Sequence, residues 1–338
     1  VINMRTGTAR SLKPKFSVDL GSGYSDIRGK VNYNAKAGYS QRFFPTSKNS
    51  NGVLGIAANY SFLRNNSGYD RLEAEAWEPY KLTEKATGEV VSDEMYIPTD
   101  YRYRYQTSTV TRNGMTFVAD WAPTVNTKFT LSAVYNERKD DAERYRNRLR
   151  FRDNGNGYYL MEDGSIGSER MRSITQVSTQ NEKIRNFNIN LDGESTIGSW
   201  KVDGGLFYTL SKRNYESEMM GFQTPEWRAG KKVNGVTIPK GTVIGVMPTI
   251  YTKYLTGKYT YEPTGNMGTE APDAISRYNL YTVENNNQIT EGTNFTARAN
   301  VSKNYYIKDY ASTFSFGVKS KFMNNTGEVP VGTNTYSY

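Results

Sequence analysis

The stretch "RYRNRLRFR", residues 144–152, places an arginine at every second position: Arg144, Arg146, Arg148, Arg150 and Arg152. On an α-helix, residues two apart do not face each other, so these side chains would scatter around the cylinder. On a β-strand every second side chain shares a face, and the five form one ladder with about 6–7 Å between neighbours. Tyr145, Asn147, Leu149 and Phe151 then fill the other face. The stretch predicts a strand.

The same period recurs along the chain. Phe16, Val18, Leu20 and Tyr24 share one parity, and so do Val31, Tyr33, Ala35, Ala37 and Tyr39. Leu54–Ile56–Ala58–Tyr60–Phe62, Met115–Phe117–Ala119–Trp121 and Phe129–Leu131–Ala133–Tyr135 repeat it. So do Phe187–Ile189–Leu191, Trp200–Val202–Leu206–Tyr208–Leu210, Phe295–Ala297–Ala299–Val301 and Phe314–Phe316–Val318–Phe322. The intervening residues are mostly Asn, Lys, Thr, Ser and Gly. Nine strands follow, many long enough to cross a bilayer at a tilt.

From the second strand onward the connections alternate in length. "FFPTSKNSN", "PTVN", "GS" and "NYYIKD" read as brief turns. Residues 66–104, 138–183 and 213–290 read as long, polar, irregular loops, all at one end of the sheet. This asymmetry matches outer-membrane barrels, with short periplasmic turns and long extracellular loops. A soluble sandwich also alternates. It would need one solvated face and one packed core face, and it leaves the aromatic residues near the apolar-face ends unexplained.

Composition agrees with this reading. The 338 residues include 27 Tyr, 14 Phe and 30 Gly, with a mean hydropathy of −0.72. No run of about 20 apolar residues exists for a membrane helix, but a barrel strand needs only every second residue apolar. The absence of Cys and His removes thiol nucleophiles, Ser–His pairs and Cys/His metal sites. The net charge of +9 calls for an anionic neighbour without choosing one.

"VINMRTGTARSLKPKFSVDLGSGYSD" resembles the junction of a TonB-dependent outer-membrane receptor, where the last plug strand runs into the first barrel strand. "GVLGIAANYSFLRNN" resembles the third barrel strand, and "ASTFSFGVKSKFMNN" a later one. The resemblance implies an all-β, antiparallel transmembrane β-barrel, of which these nine strands are an incomplete part. It places the end of the plug and a linker at residues 1–10, and the N-terminal part of the barrel at 11–338. The defining plug and TonB box are not in this sequence. The chain opens without a starting Met or signal peptide, and reads as a mature or excised piece.

The resemblance implies a bacterial outer-membrane receptor, not an enzyme. It would bind a scarce small-molecule ligand (a siderophore, a cobalamin-like compound or an oligosaccharide) and import it with TonB-coupled energy. Its partners would be that ligand, the TonB complex acting through the absent plug region, and outer-membrane lipid with lipopolysaccharide. Nucleic acid and cofactors are not expected. The rival is a polar-lumen porin or surface adhesin that needs no energy coupling.

Candidate ligand contacts fall in the long loops and on the arginine ladders. Trp77, Tyr80, Trp227 and Tyr251 are loop aromatics that could contact a ligand or pack loops together. Arg102 and Arg104, interleaved with Tyr101, Tyr103 and Tyr105, form a second ladder beside Arg146, Arg148 and Arg150. If the fifth strand continues without a bulge at "KDDAE" (139–143), the ladder shares the lumen-facing parity. Asp140, Asp141 and Glu143 could bind a cation or compensate the neighbouring arginines, and compensation is the expected role. "DNGNGYYLMED" (153–163) reads as a plain turn, since Gly155 and Gly157 stand where a calcium loop needs oxygen ligands.

Overall fold

The computed structural model describes residues 8–47, 49–233, 235–247, 258–259, 275–308 and 310–328. Tyr251, the stretch "VINMRTG" and the tail after Glu328 lie outside them. Among the described residues nine long strands carry the fold. They are β1 (Lys15–Ser25), β2 (Lys30–Phe43), β3 (Leu54–Glu84), β4 (Val90–Thr124), β5 (Thr127–Arg152), β6 (Arg170–Ile197), β7 (Trp200–Gln223), β8 (Asn279–Ile307) and β9 (Tyr310–Glu328). Each apolar alternation falls within one of these strands.

The strands pair in chain order, each antiparallel to the next. The result is a nearly all-β chain whose sheet curls strongly into a half-barrel. Tight turns hold one end. Residues 125–126 join β4 to β5, and Gly198–Ser199 join β6 to β7, with Gly198 at a φ of 59° that glycine adopts without strain.

Continuous register keeps each face intact along the sheet. No slip interrupts the pairing of β5 with β6, and none interrupts β4 with β5 from Trp121 to Asp100. One face therefore carries the apolar alternation. Phe16, Val18 and Leu20 are 76%, 73% and 77% exposed, and none of Tyr33, Ile56, Phe129, Phe187 or Phe316 enters a closed core. The opposite face is polar yet less accessible, with Asp120, Ser132 and Thr296 buried. Small polar side chains that are less exposed than large apolar ones mark the polar face as the concave side.

Aromatic contacts tie the apolar face together. Trp121 stacks on Phe129 at 5.6 Å near the tight-turn end, and Tyr33 stacks on Phe62 at 5.8 Å. One register step beyond Tyr135, the same face turns charged. There Glu137 meets Lys183 at 3.1 Å and Arg185 at 3.0 Å, and Lys212 meets Glu291 at 3.3 Å.

Two of the three expected loops are shorter than the sequence reading placed them, and the third is nearly absent. Residues 66–104 form the continuing ends of β3 and β4, joined by a turn at 85–89. β5 and β6 likewise extend to 152 and back from 170, and β7 and β8 extend to 223 and back from 279. Polar alternation hides these extensions, because a strand standing clear of the apolar band needs no hydrophobic face. The long connections that do remain, 153–169 and, among its described residues, 224–247, lie at the same end.

At that end the apolar-parity face is covered. Short strands Tyr158–Leu160, Ile166–Ser168, Trp227–Arg228 and Gly245–Val246 join the edges of the extended strands. They enclose an annex cored by Leu82, Ile97, Tyr101, Leu149, Phe151, Tyr158, Met171, Trp227, Ile238 and Ile244. Leu149 and Phe151, the residues between the ladder arginines, are thus buried in protein. The glycines of "DNGNG" have positive φ, and Asp153 Oδ1 accepts the backbone N–H groups of Gly155 and Gly157 at 2.8 and 2.7 Å. This is the plain turn the sequence suggested.

Candidate functional site

The arginine ladder stands on the polar face, turned away from the annex. β5 runs unbroken through "KDDAE", so Arg144 through Arg152 share the parity of Ser132 and Arg138. The pairing brings further arginines to the same face. Arg102 lies opposite Arg148 and Arg104 opposite Arg146 across β4–β5; Arg150 lies opposite Arg172 and Arg152 opposite Arg170 across β5–β6. Like charges directly opposite destabilise a sheet. Four such pairs in one patch need counter-charge.

The chain supplies part of it. Asp100 is buried between the first pair. Arg148 Nε lies 2.8 Å from both its oxygens, and Arg102 Nε donates to Oδ1 at 3.2 Å. Burial pushes the Asp100 carboxyl up, but the Arg148 and Arg102 hydrogen bonds outweigh it and hold the group below its ordinary value. Arg102 also pairs with Glu75, and Arg104 with Glu73 at 3.1 Å. Glu226 takes Arg170 at 2.5 Å and Arg172 at 3.2 Å.

Four of the five ladder arginines make no such ion pair among the described residues. Arg146 donates to the neutral Gln176, which in turn donates to the Tyr281 hydroxyl at 2.7 Å. Arg150 and Arg152 have no carboxylate in ion-pair contact among the described residues. Arg144 donates to Gln106 at 2.9 Å. Burial, together with the neighbouring arginines, disfavours the charge at Arg146 and Arg150 and holds both below the ordinary guanidinium value. Next to the ladder, a recess of about 200 Å³ opens on the polar face between β4 and β8, lined by Gln106, Arg144, Ser178, Tyr215 and Glu284.

The sequence-expected site residues divide. Arg102, Arg104, Arg146, Arg148 and Arg150 come together in one patch. Trp77 is half-exposed in β3, not in a loop, with its Nε1 donating to the Ala74 carbonyl at 3.1 Å. Tyr80 is also in β3 and packs edge-on against Tyr158 at 4.9 Å; burial and Glu78 push its hydroxyl up to about 12. Trp227 is fully buried in the annex against Met171, with the Arg277 guanidinium 5.9 Å from its ring centre. Tyr80 and Trp227 are therefore packing residues and not exposed ligand platforms. Of the acidic run, Asp140 pairs with Arg138 and Asp141 with Lys139 at 3.0 Å.

Arg170, Arg172 and Asp100 complete the patch and were not singled out in the sequence. "RMR" at 170–172 repeats the period-two signature in miniature and could have found two of them. Among the described residues no cluster of three or more acidic, His or Cys side chains is placed to hold a metal. No family model, curated protein or solved structure matches this chain.

Proposed function

We propose that the chain forms part of the wall and mouth of an outer-membrane active importer of the TonB-dependent receptor class. One observation carries the reading: nine consecutive antiparallel strands whose convex face is exposed, apolar and aromatic, while the concave face is polar. A soluble sandwich buries such a face; a transmembrane barrel presents it to lipid. Trp200 to Leu210 covers eleven residues, which at a tilt near 45° spans about 25 Å, the height of a barrel's apolar band. The charged row from Glu137 to Lys212 then meets headgroups and lipopolysaccharide. The extended strands and annex stand outside the membrane.

In this reading the ligand enters from the annex side, and a plug coupled to TonB admits it. The resemblance at 1–26 supports energy coupling. The test is binding of the full-length protein to the periplasmic domain of TonB, with conductance measured in a planar bilayer. Specific TonB binding with no passive conductance supports the importer. Steady conductance without TonB binding supports a porin.

A further inference from the structure

We infer that the arginine patch binds a ligand carrying at least two anionic groups, one held by the Arg104–Arg146 pair and one by the Arg150–Arg172 pair. The inference rests on the reading of the polar face as the inside of a receptor, and names the chemistry that this face selects.

Asp100 shows what such a pair accepts. It sits between two arginines that the sheet places directly opposite, and its oxygens take hydrogen bonds from both. The pairs on either side have the same cross-strand geometry without that bridge. In the pair below, Arg104 has Glu73 but Arg146 has only Gln176. In the pair above, Arg172 has Glu226, while Arg150 makes no ion pair among the described residues: Asp100 lies opposite it on β4, but the hydrogen bonds of that carboxylate go to Arg148 and Arg102.

Each flanking pair thus has one guanidinium in an ion pair and one without, side by side. Nε of Arg104 and Nε of Arg172 are themselves buried without an acceptor. A carboxylate, sulfate or phosphate is the group that fits planar guanidinium forks two at a time. Repulsion across these pairs is retained in the free protein, so an anion that relieves it gains more there than at a lone arginine. Arg146 and Arg150 lie four residues apart on β5, which sets the two anionic groups about 13 Å apart. A single small anion can fill one pair only, so a linear polyanion is the class selected.

The experiment uses the full-length receptor in detergent and calorimetric titration with tetragalacturonate and linear pentaphosphate. Uncharged tetragalacturonate methyl ester and inorganic phosphate serve as controls. At least one polyanion is expected to bind ten-fold or more tightly than phosphate, with affinity falling as salt rises. The methyl ester is expected to show no heat. Arg146→Gln with Arg150→Gln should lower the affinity ten-fold or more, while Arg112→Gln, on the same face but outside the patch, should leave it unchanged. Each variant is first shown to migrate as a folded barrel. Failure of both polyanions to bind, equal binding of phosphate or ester, or an unaffected double variant overturns the inference. Polyanion binding in a protein that fails the TonB test leaves the patch standing and removes only the importer.

Discussion

Asp100 and Arg148 form an enclosed ion pair at the centre of the patch, with Arg148 Nε 2.8 Å from both carboxylate oxygens and Arg102 sharing the same carboxylate. Removing the charge leaves two arginines opposed across the sheet with no bridge. Asp100→Asn should therefore destabilise the extended strands by about 3 kcal/mol, the usual cost of breaking a buried pair. The pH dependence has a definite sign. A carboxyl held below its ordinary value in the folded state stabilises fully above its unfolded value, about 4, and that contribution is lost as pH falls through the lower folded value. Melting of the wild type should fall between pH 5 and pH 3 more steeply than that of Asp100→Asn. Parallel curves would remove Asp100 from this role.

Leu131 and Thr130 are neighbours on β5 with opposite fates. If the apolar face meets lipid, Leu131→Arg should cost about 2–4 kcal/mol near mid-membrane. Thr130→Arg, on the polar face, should cost far less. Urea unfolding of the full-length protein in lipid vesicles reads the difference, and equal penalties would argue against a lipid-facing side.

Trp227 fills the annex core with no exposed surface. Trp227→Ala should cost about 3–5 kcal/mol of local packing. The loss should fall on the annex, because its described core is built on the far ends of β3 to β6. Brief proteolysis should then cut near 224–247 while the barrel band stays protected. Global loss of the folded band would mean the annex and barrel are one cooperative unit.

Legibility in the sequence followed the physics of burial. Strands across the apolar band announce themselves, because there an apolar or aromatic residue stands at nearly every second position. Within residues 66–104 only scattered positions such as Leu82, Ile97 and Tyr101 are buried, under a cover far away in sequence, so Asp70, Glu73 and Arg102 follow no apolar pattern and the strands read as loop. The ladder was readable because five identical side chains at period two leave few alternatives. Arg170 and Arg172 carry the same spacing in "RMR", but their place beside Arg152 and Arg150 is fixed by the β5–β6 register. Trp227 looked like an exposed loop aromatic because its cover comes from residues up to 147 positions away, Tyr80 being one of the side chains packed against that core.

β1 pairs only with β2, and β9 only with β8, among the described residues. Two unpaired edges flank a large apolar face, a combination that drives edge-to-edge association. Expressed alone in water, this chain should sediment as aggregate and need detergent to disperse. A monodisperse monomer in plain buffer, by sedimentation velocity, would contradict both the lipid-facing surface and the open edges.

The central claim, that one face of this sheet meets lipid and the other lines a wet lumen, is tested most directly by cysteine scanning. Residues 1–338 contain no Cys, so, with any Cys elsewhere in the full-length protein first replaced by Ser, single Cys substitutions from Phe129 to Asn136 each carry one label in that protein reconstituted in vesicles. A lipid-dissolved quencher should reach labels at 129, 131, 133 and 135, and a water-soluble quencher those at 130, 132, 134 and 136. Strict alternation of the two along β5 is the result expected. Uniform access of the water-soluble quencher to all eight positions would contradict the account.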